Sequence, residues 1–271
     1  MSRDLSSSLR GFSLLELVGV MAVIAILSAV LAPNLVGVIN DAYATAETEN
    51  LISLADQLER SVLNTSVIPG NGSASWGAAI AAQSDLPLQD VLQNRRGFTR
   101  TVYFDPGFLN GTGGFNGYTQ TTGLSAPPAS PRFMIISDLS GNLGTQANNV
   151  SRFDAIWNRD PAATIVESDT VKIERRHIGD LFHRALIINE YSYQTGVSLN
   201  GGAQLAIPAA QAGADGLLSM YLIEGTEIAL FDGPYPTGGL LTARLVDDYV
   251  TQRIEDPSAG SGSGGNAGAA P

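Results

Sequence analysis

Between Phe12 and Ala32 the chain carries an almost wholly apolar run in which Glu16 is the only charged side chain. Twenty-one such residues, wound as a helix at about 1.5 Å per residue, would cover the roughly 30 Å hydrocarbon core of a bilayer. The eleven residues before the run are polar and contain Arg3 and Arg10, and no basic residue follows until Arg60. That asymmetry predicts a cytoplasmic N-terminus and an exported remainder. A cleavable secretory signal is the competing reading. The run is longer than the usual h-region of about 7 to 15 residues, holds a carboxylate, and its small-residue exit, Val30-Leu31-Ala32, is followed by Pro33. An uncleaved signal anchor fits as well.

Glu16 demands a partner. A carboxylate inside a membrane segment costs a few kcal/mol on insertion scales, so it must protonate, reach solvent or pair with a cation. Were the chain cut between Gly11 and Phe12, the new α-amine would lie four residues from Glu16, and among parallel helices a neighbour's amine could serve it. The other reading places Glu16 near enough to the interface to be solvated.

The residues Gly11-Phe12-Ser13-Leu14-Leu15-Glu16-Leu17 resemble the prepilin-type signal of type IV pilins and type II secretion pseudopilins. Pro33-Asn34-Leu35 stands where those families carry a helix-softening proline, so the resemblance covers residues 1 to about 63. Ala25 stands where many pilins carry glycine. The resemblance implies cleavage after Gly11 by a prepilin peptidase, methylation of Phe12, and assembly through the helix with Phe12 and Glu16 at the contact. The implied partners are other pilin or pseudopilin subunits, an inner-membrane assembly platform and the lipid bilayer. The implied location is the inner membrane, single-pass with the C-terminal domain in the periplasm, and afterwards a periplasmic or extracellular filament. The implied function is a structural filament subunit. A minor priming or tip subunit is the alternative within the family, and a membrane-anchored periplasmic binding protein the alternative outside it.

Beyond Pro33, which removes a hydrogen bond to the Ala29 carbonyl and predicts a kink, the pattern stays helical. Leu35, Val38, Ile39, Ala42 and Ala46 fall on one stripe, and Leu54, Ala55, Leu58 and Val62 fall roughly opposite at about 100° per residue. A change of face suits a helix that meets neighbours first and its own domain second; an ordinary helix with a loosely drawn stripe is the plainer account. Pro69-Gly70 ends it. Candidate strands follow at Thr101–Phe104, Phe133–Ser137, Thr164–Glu167, Val171–Arg175, Ala185–Asn189, Leu217–Ile223, Glu227–Phe231 and Leu240–Val246, with Leu222 to Ile228 as the best hairpin. The expected fold is therefore α+β, a long N-terminal transmembrane and amphipathic helix packed on a mainly antiparallel sheet. The organisation reads as 1–11 leader, 12–32 membrane half, 33–65 amphipathic half, 66–257 exported pilin-like domain and 258–271 disordered Gly/Ser/Ala tail. Residues 107–131, dense in Gly, Asn, Thr and Pro, read as a surface insertion that buries no core.

No catalytic constellation is visible, and the reading is of a protein that is not an enzyme. His177 and His183 stand six apart, which is neither a helical ligand pair nor a zinc pattern. Cysteine is absent, so disulfides and thiolate chemistry are excluded. No resident cofactor is expected; calcium is the one ion left open, through Asp232, Asp247 and Asp248, without EF-hand spacing. Net charge is -11 with Lys172 the single lysine, which counts against nucleic acid as a partner. One local basic group, Lys172, Arg175, Arg176 and Arg184, with Glu174 inside it, reads as a solvated strand face, with DNA contact as the second reading.

Overall fold

A computed structural model describes residues 13–108, 115–144, 149–247 and 249–256, without the side chains at 30–34 and 73. The chain divides into two compact units, Met1–Ala46 and Glu47–Pro271.

In the described part of the first unit the backbone belongs to α1 (Leu14–Thr65), which continues into the second. Leucine, alanine and methionine favour helix here, and no proline intervenes before Pro33. Among the described residues no helix is long and apolar enough to cross a membrane. The expectation of a transmembrane helix laid on one antiparallel sheet is thereby corrected.

The second unit is mostly β. Twelve strands are present among the described residues, divided over four small sheets. One sheet has the order β2 (Thr101–Phe104), β4 (Arg132–Asp138), β5 (Val171–His177), all antiparallel. The run Phe133-Met134-Ile135-Ile136 along β4 is buried on both faces. Phe133 and Ile135 join Val102, Phe104 and the α1 side chains Leu51, Leu54, Ala55, Leu58 and Val62. Met134 and Ile136 turn the other way, with Tyr103 and Ile173, onto Phe153 and Ile156 of α4 (Val150–Trp157). An uninterrupted apolar strand needs cover on both sides, which one helix on one sheet does not supply.

The second correction lies in the remaining strands. β6 (Phe182–Asn189) sits between β9 (Gly216–Ile223), antiparallel, and β12 (Val250–Ile254), parallel. A four-stranded sheet runs β11 (Gly239–Leu245), β10 (Glu227–Asp232), β7 (Thr195–Leu199), β8 (Leu205–Ile207). Their apolar side chains, among them Ile187, Leu222, Val250, Val197, Ile228 and Leu230, share a second core. The expected hairpin at Leu222–Ile228 therefore does not pair with itself: β9 and β10 belong to different sheets. The turn between them is fastened elsewhere, with Gly225 N–H donating to the Val246 carbonyl at 2.6 Å and Thr226 and Ser66 hydroxyls 3.3 Å apart. Thr164–Glu167 forms no strand.

Residues after 70 also supply helices that Pro69-Gly70-Asn71-Gly72 disguised as a loop. α2 (Ser73–Gln83) is alanine-rich and buries Trp76 and Ile80; α3 (Leu88–Leu92) buries Val91. The supposed insertion at 107–131 contributes to the core: Phe108 and Phe115 are buried with ring centroids 5.3 Å apart, and β3 (Gly117–Thr119) pairs with β1 (Val67–Pro69). The tail at 258–271 lies outside the described residues.

At the start of the second unit Glu47 and Arg100 form a buried ion pair, 2% and 3% exposed. Arg100 Nε and Nη2 donate to the two Glu47 oxygens at 2.6 and 2.8 Å, while Nη1 donates to the Asp90 and Val91 carbonyls at 2.7 and 3.0 Å. Every guanidinium nitrogen is thus engaged, the condition under which a buried charge is tolerated.

Candidate assembly surface

Gly11 and Phe12 lie outside the described residues. The first described turn of α1 is closed by a reciprocal cap: Ser13 N–H donates to Glu16 Oε2 at 2.9 Å, and Glu16 N–H donates to Ser13 Oγ at 3.2 Å. Two of the helix's orphan donors are satisfied by this pair. Glu16, expected to wait for a neighbour's amine, thus has a partner in its own chain. The signal was legible, since Ser13-Leu14-Leu15-Glu16 is the S-x-x-E spacing of a capping box.

From Leu14 to Ile39 the described large apolar side chains are 43% to 82% exposed. They run around the helix rather than along one stripe. Gly19 lies with Glu16, Val20, Val23 and Ile24 around a shallow depression. A methyl group built on Gly19 or on Gly37 would meet nothing within 4 Å. Neither glycine is therefore demanded by the packing around it in this chain; what a missing side chain leaves open is close approach by another helix. α1 is continuous through position 33, whose ring is outside the described side chains.

The other expected sites resolve differently. In the basic group, Lys172 Nζ donates to the Ser168 carbonyl, Arg175 pairs with Glu167 at 2.9 Å, Arg176 bridges Glu174 and Asp56 at 2.7 and 2.8 Å, and Arg184 donates to Ser219. Three of the four cations are tied to carboxylates or a carbonyl. His183 lies 3.5 Å from Glu224, and His177 meets the edge of Trp157. Asp247 faces Arg244 at 3.7 Å, and Asp232 accepts from Tyr191; Asp248 lies outside the described residues. Among the described residues no group of three His, Cys, Asp or Glu side chains is placed to hold a metal.

One cleft, of about 360 Å³, opens in the second unit beside α1. Asn50, Ser53 and Leu54 form one wall, and Asp90, Gln93 and Arg95 the other. Sequence reading gave no sign of it, because its walls are 40 residues apart in the chain and no motif joins them.

Comparison with protein-family models, with curated proteins and with solved structures finds no match.

Proposed function

We propose that the chain is a structural subunit of a type IV pilus-like or type II secretion pseudopilus-like filament, cut after Gly11 and assembled through its N-terminal helix. The observation that supports this reading is the band of exposed leucine, valine, isoleucine and methionine from Leu14 to Ile39. An apolar surface of that extent needs an apolar environment or a partner. Parallel copies of the same helix supply one, with Gly19 permitting close contact and the Glu16 carboxylate, which caps its own helix through Ser13, also taking a neighbour's cation. In this reading the subunit waits at the inner membrane with residues 1–11 cytoplasmic and the globular unit exported, and no catalytic step is involved.

Mass spectrometry of the mature N-terminus tests it. The expected chain begins at Phe12, carrying a methyl group on its α-amine. An intact N-terminus, or one beginning after Ala32, would remove the basis for the proposal. Glu16→Ala is expected to be processed normally and to polymerise poorly.

The cleft at Asn50, Gln93 and Arg95 favours a second reading, an anchored periplasmic binding protein. Processing separates the two, because such a protein has no need of a cut at Gly11.

A further inference from the structure

The cleft beside α1, about 360 Å³, falls at the low end of the roughly 300 to 1,000 Å³ of small-ligand sites. Its buried polar side chains are committed to the fold. The Arg100 charge is cancelled by Glu47, and each of its guanidinium nitrogens already donates. Asn94 donates to Ser137 Oγ and the Asp138 carbonyl, while its Oδ1 accepts from the Arg96 and Phe98 amides. The solvent-facing side chains of the same cleft are uncommitted. Asp90 and Arg95, both exposed and on one wall, pair neither with each other nor with any other described side chain. The carboxamides of Asn50 and Gln93, on opposite walls, have no partner among the described residues. Ser53 Oγ accepts from Gln57 Nε2 at 3.4 Å, which leaves its own proton to be given elsewhere.

We infer that the cleft binds a small zwitterion of the amino-acid or short-peptide class, with its ammonium on Asp90, its carboxylate on Arg95 and an aliphatic side chain on Leu54 and Leu86. The inference rests on the second reading, the cleft as a binding site, and holds whether or not the chain forms filaments. Charge selects the class. Opposite charges that share a cleft without pairing can each take a counter-charge from a third body through a charge-assisted hydrogen bond. A simple anion would find one free cation at Arg95 and repulsion from Asp90, since Arg100 has no donor left. A simple cation meets the converse. A neutral polyol would cover both charges and return no counter-charge for the water displaced. No aromatic ring lines the cleft, so a nucleobase or other flat ring has nothing to stack on. The two carboxamides each donate and accept, as a peptide group does, and so suit the polar backbone between the charged ends.

The test is calorimetric titration of the full chain, in mild detergent, with L-leucine and with trileucine, each also N-acetylated and C-amidated. One of the two free probes is expected to bind, and which one does so sets the length of the ligand. Acetylation removes the ammonium and is expected to weaken that probe about tenfold or more in the native chain, but not in Asp90→Asn. Amidation removes the carboxylate and is expected to weaken it similarly in the native chain, but not in Arg95→Gln. Both side chains are exposed and unpartnered, so both variants are expected to keep the native urea midpoint. Ser53→Trp, which fills the cleft, is expected to abolish binding. Inorganic phosphate and maltose are the anionic and neutral comparisons. If either binds in place of the zwitterions and is lost in Ser53→Trp, the cleft stays a binding site and the ligand class assigned here is overturned. Leucine probes that bind regardless of their blocked ends, or that still bind Ser53→Trp, overturn it as well. No binding of any probe up to about 10 mM would overturn this inference together with the second reading.

Discussion

Two stretches of one helix, Leu14–Ala46 and Glu47–Thr65, are built from similar residues and meet different fates. In the second, Leu51, Leu54, Ala55, Leu58 and Val62 are buried, returning every three or four positions so that one face enters the core. In the first, leucines, valines and isoleucines occupy every face and stay exposed through Ile39. Apolar content is thus no guide to burial; the period of the pattern is. Where the period fits a single face, the chain buries itself. Where apolar residues surround the axis, the sequence is written for surroundings other than its own fold.

The largest test of that contrast is at the head of the second stretch. Arg100→Ala leaves the Glu47 carboxylate buried without its cation and frees the Asp90 and Val91 carbonyls. A loss of about 3 to 5 kcal/mol is expected, read as a shift of the urea midpoint. Replacing Glu47 and Arg100 together by methionine is expected to recover most of it. If the single variant unfolds at the native midpoint, the ion pair does not fasten this stretch of α1.

Next in size is the same substitution made in both stretches. Leu58→Ala should cost about 2 to 5 kcal/mol through lost burial and the cavity left behind. Leu17→Ala, at an exposed position, should change unfolding by less than about 0.5 kcal/mol while lowering filament yield. Equal effects on stability would erase the distinction between the stretches.

A smaller effect is expected at the turn that lies against the end of α1. Gly225 adopts a φ of 81°, and a methyl group there would stand 2.7 Å from the Leu63 carbonyl. Gly225→Ala is expected to cost about 1 to 3 kcal/mol, from left-handed strain together with that contact. Gly19→Ala, whose added methyl meets nothing, is expected to leave the thermal midpoint unchanged.

Much of this organisation was legible in the sequence, and the failures have identifiable causes. The stripe at Leu54, Ala55, Leu58 and Val62 is a local pattern, and strands such as Thr101–Phe104 lie where β-branched and aromatic residues cluster between breakers. Partition into sheets is not local. Nothing near Leu222–Ile228 says that the two strands will belong to different layers, because that depends on Gly225 reaching Val246 and Thr226 reaching Ser66. Phe108 and Phe115 were hidden by the Gly- and Asn-rich residues between them. At the assembly surface, the capping box was readable from Ser13 and Glu16, whereas Glu47 and Arg100, 53 positions apart, carry no mark of their pairing.

The smallest expected effect separates the stretches by pH. Burial pushes the phenols of Tyr118 and Tyr191 up to about 12, and both belong to the second unit. An unfolded tyrosine ionises near 10. Below that value both states keep the proton and the contribution to stability is complete. Between about 10 and 12 the unfolded chain releases protons that the folded chain retains, so stability falls as pH rises. The unfolding midpoint of the globular unit is therefore expected to drop across this window, with tyrosinate absorbance developing as the fold is lost. Tyr118→Phe gives up the hydrogen bond to the Thr122 carbonyl, and so starts lower at neutral pH, but should decline less steeply above pH 10. Helix signal from residues 14–46, where neither phenol resides, should persist after the β signal has gone. Simultaneous loss of both signals, or a slope unaltered by Tyr118→Phe, would show that alkaline unfolding is not governed by these phenols.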